Sequence, residues 1–370
     1  VAEPVVAIAH DYLTQKGGAE RVVLAMHRAF PDATIYTTLY DPDRTFPEFA
    51  NAKIVTSPLN RIAMLRKDHR LALPFLAFAS SALKVPGDVV VMSSTGWAHG
   101  FTARGRRYVY CHSPARWLYL TDQYLGKSAW SSPTGWALAV LRPFLTLWDK
   151  RAAALGDVYV GNSTVVQKRL HDVYGKRVDI FHPPHSVSID GPREPIDGLD
   201  DFIGHGGHFL VVSRLLPYKN VDKAIEAFRG LDKRLLIIGA GPLVDELRAL
   251  CPDNVRMASN ISDQQMRWAY ASCQAVIAPS HEDFGITPLE GGAWGKPTLA
   301  LRAGGYLDTI EDGVTGAFFE EPTSACICEA VQDFQSDSWD PETIQAHVEK
   351  FSEERFRNRL REEVFALADS

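Results

Sequence analysis

The sequence predicts an α/β protein of two doubly wound, Rossmann-like domains, and three observations carry that expectation. At 370 residues the chain exceeds what one ordinary core organises and suits two domains. Short apolar runs alternate with helix-length amphipathic stretches along most of it, the pattern of parallel strands joined by crossover helices. The alternation pauses once, at 183–207 (PPHSVSIDGPREPIDGLDDFIGHGG), a Pro-, Gly- and Asp-rich stretch with the composition of an interdomain linker.

In order, Val5-Val6-Ala7-Ile8-Ala9 is uniformly apolar, as a strand covered on both faces must be. Glu20–Phe30 follows with helical spacing of its apolar residues. Further strands are expected at 34–38, 89–92, 108–110, 158–160 and 178–181. A second series begins at Phe209–Val212 and continues at 234–238, 255–257, 275–278, 298–301 and 317–319. The tail, Phe351–Ala368, reads as a polar amphipathic helix. The expected domains are therefore 1–185 and 186–350. Ligands of such sheets bind at the carboxyl ends of the strands, so the loops leaving those ends hold the candidate sites.

A hydrophobic content of 46% and a charged content of 23% suit a soluble globular chain. No apolar run is long enough to span a bilayer; the longest, Trp136–Trp148, is broken by Arg142 and Pro143. No secretory signal opens the sequence, and five scattered cysteines suggest a reducing compartment without structural zinc. The expected location is cytoplasmic. The net charge of −6 is divided unevenly: residues 1–185 carry 22 Lys and Arg against 14 Asp and Glu, and residues 186–370 carry 17 against 31. The basic half should attract an anionic partner, either a phosphate-bearing acceptor or an anionic membrane surface.

The sharpest motif is Glu282-Asp283-Phe284-Gly285-Ile286-Thr287-Pro288-Leu289-Glu290, between a strand and a helix. Two carboxylates eight residues apart flank a glycine turn. They can accept hydrogen bonds from sugar and ribose hydroxyls, while turn amides and the helix N-terminus meet negative oxygens. Thr287 to Glu290 equally fits a capping box with Pro at the first helical position. Ser213-Arg214-Leu215-Leu216-Pro217-Tyr218-Lys219-Asn220 leaves the end of the 209–212 strand. Arg214 and Lys219 there can hold phosphate oxygens, or be two ordinary surface cations. Gly17-Gly18-Ala19-Glu20 allows close backbone approach or only a tight turn. Gly239-Ala240-Gly241 starts like a dinucleotide fingerprint but lacks its third glycine. His112, in Tyr110-Cys111-His112-Ser113-Pro114, is either a sugar contact or a structural histidine.

In this order the motifs resemble the family 4 glycosyltransferases of the GT-B fold. The resemblance runs over nearly the whole chain and includes Ala303-Gly304-Gly305 and Asp312-Gly313-Val314-Thr315-Gly316. Within the family it is nearest the WbaZ-like mannosyltransferases of bacterial polysaccharide assembly. It implies two Rossmann-like domains facing each other across a cleft, with the 351–370 helix crossing back onto the first. By resemblance, Arg214 and Lys219 match the diphosphate binders, Glu282 the carboxylate beside the donor sugar, and Glu290 the ribose holder. Phe284, Gly285 and Ile286 match the turn whose amides face the sugar and phosphate, and Asp283 and Thr287 beside them are further donor-binding candidates. Gly17 and Gly18 match the loop over the diphosphate, and His112 the histidine near the transferred sugar. Asp308 departs from the glutamate many members carry there.

The implied reaction is metal-independent transfer with retention of anomeric configuration, with no cofactor beyond a nucleotide-sugar co-substrate. The implied donor is GDP-mannose, with UDP-glucose or another UDP-sugar as alternative. The acceptor is a saccharide, polyprenyl-diphosphate-linked or free. Pro58–Lys84 mixes Arg61, Arg66, Lys67 and Arg70 with Leu71, Leu73, Phe75, Leu76 and Phe78. It suits either peripheral docking on the inner face of the plasma membrane or a core helix with a basic rim. Arg104, Arg106, Arg107 and Arg116 could face a lipid diphosphate. A UDP-GlcNAc epimerase or hydrolase and a non-catalytic sugar-nucleotide binder are the competing readings. No nucleic-acid partner is expected.

Overall fold

The computed structural model describes residues 3–120, 133–185, 187, 189–203 and 207–370. Two compact units result: Val1–Pro184 with Glu353–Ser370, and His185–Ser352.

The first unit is built on strands β1 (Val6–His10), β2 (Ile35–Thr37), β3 (Ile54–Thr56), β4 (Lys84–Val85), β5 (Val89–Ser94), β6 (Thr102–Ala103), β7 (Arg106–Cys111), β8 (Val158–Gly161) and β9 (Asp179–Ile180). Seven of them form a sheet in the order β3-β2-β1-β5-β7-β8-β9, and β4 and β6 make a separate short ladder. All the sheet's pairings are parallel, with Ile8 of β1 opposite both Ile35 and Val91. Every residue of β5 is buried, which is why its Val89–Met92 part reads as an unbroken apolar run. The C-terminal helix Glu353–Ala368 belongs to this unit. Phe356, Leu360, Val364 and Leu367 recur at helical spacing and bury one stripe in the core that also holds Val22 and Met26 of helix Gly18–Ala29. Each such side chain contributes up to about 1.5–3 kcal/mol.

The second unit holds β10 (His208–Val212), β11 (Leu235–Ile238), β12 (Val255–Ala258), β13 (Cys273–Ala278), β14 (Thr298–Leu301) and β15 (Gly316–Phe319). They form a parallel sheet in the order β12-β11-β10-β13-β14-β15. The chain steps outward from β10 to β12, then returns to β13 beside β10. The β10/β13 junction is thus the topological switch point, where the loops leaving neighbouring strands diverge and open a crevice. In the first unit the same junction lies between β1 and β5.

Three expectations are modified. The 183–207 stretch is not a free tether: Ile196, Leu199 and Ile203 are buried in the second unit's core, and Arg267 Nε donates to the Pro192 carbonyl at 3.0 Å. Its few apolar residues outweigh the loop-like composition around them. The 58–84 stretch is split between core and surface. Leu65, Leu73, Leu76 and Ala77 pack with Trp97, Trp117 and Leu145, while Met64, Phe75 and Phe78 are exposed; the side chain of Arg70 lies outside the described residues. The four arginines expected to act together are divided. Arg106 and Arg107 open β7, with Arg104 just before them, whereas Arg116 follows its carboxyl end in helix Arg116–Tyr119. A six-residue strand spans roughly 20 Å, so the first three sit at the end of the sheet opposite His112. Arg106 is occupied there by Asp157, at 3.2 Å.

Candidate functional site

In the second unit the two loops at the switch point are tied together. The loop after β10 runs through Ser213 and Arg214 into the short 3₁₀ turn Pro217–Lys219. Asn220 closes it in a left-handed conformation with φ of 54°, which Asn tolerates better than most residues. Its side-chain amide donates to the Pro279 carbonyl, in the loop after β13, at 2.9 Å. Lys219, 9% exposed, forms an ion pair with Glu282 of that same loop. The Ser280 hydroxyl donates to Glu282 Oε1 at 2.7 Å and lies 3.2 Å from the Tyr306 hydroxyl. Tyr306 is buried; that burial and the Glu282 charge push its hydroxyl up from its ordinary value. Arg214 is exposed and touches the Tyr218 hydroxyl at 3.2 Å, so its guanidinium remains open to an anion.

The turn 283–286 is shaped by what packs behind it. Phe284 is buried with Leu289, Ala293, Val348 and Phe351, so its side chain anchors the turn rather than facing outward. Gly285 has φ of +79°, and a Cβ there would lie 2.5 Å from the Tyr306 ring. The loop after β14 presses on the same turn: Gly305 N–H donates to the Glu282 carbonyl at 2.8 Å. A Cβ on Gly305 would lie 2.2 Å from Phe284 Cα. The Gly304-Gly305 pair is thus explained by backbone against backbone.

Glu290 lies in helix Thr287–Ala293, but the capping box does not form: Ile286 is the N-cap and makes no side-chain cap. Thr287 is instead the first helical residue. The Glu290 carboxylate accepts from the Tyr270 hydroxyl at 2.8 Å. The Gly239 and Gly241 positions also have a packing reason. A Cβ at either would stand 2.0 Å from the Ser213 carbonyl or 2.4 Å from that of Leu215, so the loop after β11 supports the Arg214 loop from beneath.

In the first unit, the candidate residues surround the ends of β1, β5 and β7. Gly17 is the N-cap of helix Gly18–Ala29; a Cβ there would lie 2.5 Å from Glu20 Oε2, whereas Gly18 has open space. Gly17 therefore makes room for a buried carboxylate. His112 follows β7, and its Nε2 is 2.8 Å from the Ser93 hydroxyl. Asp11 carries no motif and was not a sequence candidate, yet it organises this end of the sheet. Its buried carboxylate accepts from the amides of Thr95 at 2.6 Å, Trp97 at 3.2 Å and Ala98 at 2.5 Å, and from the Thr95 hydroxyl. The only sequence signal for it is a charged residue ending an apolar strand.

Among the described residues no cluster of three His, Cys, Asp or Glu side chains is disposed to hold a metal ion, and no helix is long and apolar enough to cross a membrane.

Residues 205–355 match the family model described as glycosyl transferases, group 1. Over 97% of this chain and 95% of the relative, the sequence is 28% identical to the human (Homo sapiens) alpha-1,3/1,6-mannosyltransferase ALG2. Residues 205–355 are a group 1 glycosyltransferase domain, and the chain has the GT-B fold. A second relative of this glycosyltransferase is the GDP-mannose-dependent alpha-(1-6)-phosphatidylinositol monomannoside mannosyltransferase of Mycolicibacterium smegmatis. It is 28% identical over 55% of this chain and 58% of that one. Among solved structures, Anabaena Alr3699/HepE in complex with UDP and glucose is similar in fold, with a TM-score of 0.69 at 18% identity, over 98% of this chain and 100% of that one.

Arg214, Lys219, Glu282, Asp283, Phe284, Gly285, Ile286, Thr287 and Glu290 all belong to the glycosyltransferase's second unit. Within it, Lys219 and Glu282 are in direct contact. Gly17, Gly18 and His112 belong to the first unit.

Proposed function

We propose that this glycosyltransferase moves mannose from GDP-mannose, with retention and without a metal ion, onto a saccharide or polyprenyl-diphosphate-linked acceptor in bacterial glycan assembly. The observation that carries the reading is the meeting of Lys219 and Glu282 at the β10/β13 switch point, with the exposed Arg214 on the same loop. One loop supplies two cations for a diphosphate, and the other supplies a carboxylate for sugar hydroxyls. The relatives named as mannosyltransferases, one of them GDP-mannose-dependent, support the choice of sugar and base.

In this reading, charge grows on the departing phosphate while the acceptor hydroxyl enters on the same face. Arg214 is exposed and, among the described residues, meets only the Tyr218 hydroxyl. Lys219 adds its charge as the diphosphate competes with Glu282 for it, and these donors act as an oxyanion hole does. Glu282 accepts from the donor sugar, Glu290 from the ribose, and His112 contacts the transferred sugar. Two carboxylates straddling a glycosidic bond, as a hydrolase needs, have no part in it. The exposed Met64, Phe75 and Phe78, with the exposed Arg61 and Lys67 of the same stretch of sequence, would seat the enzyme on an anionic bilayer.

A thermal-shift screen of GDP, UDP, ADP and their sugars tests the donor, because a ligand that binds only the folded state raises its melting temperature. GDP and GDP-mannose should give the largest shifts; a larger shift with UDP-sugars would replace the base. Transfer should persist in EDTA. Loss that added Mg²⁺ restores would contradict the metal-independent mechanism.

A further inference from the structure

A line of polar groups runs behind His112 through three strands and a helix. His112 Nε2 is 2.8 Å from Ser93 Oγ on β5. The His10 Nδ1 at the end of β1 is 3.1 Å from both Ser93 Oγ and the Ser93 carbonyl oxygen. His10 Nε2 is 3.9 Å from Glu20 Oε1 on helix Gly18–Ala29, and the Gln15 amide donates to that same oxygen at 3.0 Å. His10, Glu20 and Ser93 are all at most 1% exposed, and His112 is 8% exposed. Burying so many polar groups is costly unless each has a partner, and the proposed reaction uses only the last of them.

Hydrogen-bond bookkeeping fixes the protons. A carbonyl oxygen only accepts, so His10 Nδ1 carries a hydrogen. The Ser93 hydroxyl cannot then donate to that nitrogen, and among the described residues His112 Nε2 is the remaining partner of this buried hydroxyl, so its hydrogen is satisfied only by pointing there. In that arrangement Nε2 accepts, and the ring hydrogen of neutral His112 lies on Nδ1. We infer that Ser93 and His10 are positioning residues that hold His112 as a neutral imidazole presenting its Nδ1–H as a hydrogen-bond donor. Its role toward the sugar rests on the function proposed above; the proton arrangement does not.

The electrostatics agree. Burial, with the charges of His10 and Arg116, pulls His112 down to about 3. Burial disfavours the His10 cation, but the nearby Glu20 carboxylate, the charge of Asp11 and the Ser93 carbonyl outweigh it and raise His10 above its ordinary value. When His10 loses its extra proton at higher pH, the hydrogen lost is the one facing Glu20, since Nδ1–H stays on the Ser93 carbonyl. The His112 tautomer therefore does not change with pH. A group so far from titrating near neutrality is a poor general acid or base and a good fixed donor, as neutral histidine is in some isomerases.

Long-range ¹H–¹⁵N spectra of the full chain labelled in histidine report the tautomer directly, with His112 assigned by its loss in His112→Gln. The expected spectrum shows His112 protonated at Nδ1 and unchanged from pH 5 to 8. In Ser93→Ala the Nε2–H form should appear, and kcat at saturating donor should fall roughly tenfold, the worth of one hydrogen bond, with little change in donor KM. His10→Asn, which keeps an amide donor at the Nδ1 position, should retain the tautomer, whereas His10→Gln should not. The wild-type spectrum decides even if a variant fails to fold. An Nε2–H signal, or a His112 that titrates between pH 6 and 8, overturns the inference. A chain with the expected tautomer but no transfer activity would instead overturn the proposed function.

Discussion

Lys219 and Glu282, 63 residues apart in the chain, form an ion pair between the loops of two neighbouring strands. Glu282→Gln leaves Lys219 facing an uncharged acceptor in a mostly buried place. We expect kcat to fall by roughly 10²–10³ and unfolding stability by about 1–3 kcal/mol. In a double-mutant cycle with Lys219→Ala, the two stability losses should fall short of additive, with a coupling of about 0.5–3 kcal/mol. Strict additivity in urea unfolding would mean that the pair contributes nothing as a pair.

Asp11 gives a second expectation, about the scaffold. Both of its oxygens accept backbone amides. Asn at this position turns one oxygen into a donor aimed at other donors. Asp11→Asn should therefore cost roughly 1–3 kcal/mol in urea unfolding. A change within error would show that the loop after β5 is held by other contacts.

This residue also shows where sequence reading ends. Strands such as Thr298–Leu301 are legible because burial on both faces demands continuous apolar runs, and the helix-length stretches between them imply parallel pairing. The two-residue strands β4 and β6 are too short to leave a pattern. Site chemistry is legible only as far as one loop. Lys219 and Glu282 could each be set at a strand end, but their contact depends on which strands are neighbours. Glu290 matched a local capping pattern, while its carboxylate accepts from Tyr270 on another helix. Arg106 and Arg116 looked adjacent because sequence distance hides the length of the strand between them.

Acid should weaken the fold through its buried histidines. Burial, with Lys296 adding repulsion, pulls His208 down to about 4, whereas an unfolded histidine titrates near 6.5. Between these values the unfolded chain holds a proton that the folded chain refuses, so stability rises with pH there. The contribution is fully present above pH ~6.5 and is lost as pH falls toward ~4, by up to about 1.4 kcal/mol per pH unit. His112 has the same sign; His10, raised by Glu20 against its burial, has the opposite one. Urea midpoints measured from pH 7 to 5 should fall, and less steeply in His208→Leu. An equal slope in that variant would remove His208 from the explanation.

Membrane docking rests on Phe75 and Phe78, which are 56% and 80% exposed. Phe75→Ser with Phe78→Ser should weaken binding to anionic vesicles, and added salt should weaken it further by screening the neighbouring basic residues. Binding that ignores both changes would exclude this surface as the contact.

The central claim is that the β10/β13 junction binds the donor's diphosphate. Calorimetric titration of GDP-mannose into the wild type and into Arg214→Ala tests it most directly, since Arg214 is exposed and its loss leaves the core intact. A Kd at least roughly tenfold weaker in the variant is expected, the loss of one charge-assisted contact. Equal affinity in the two proteins would place the diphosphate elsewhere.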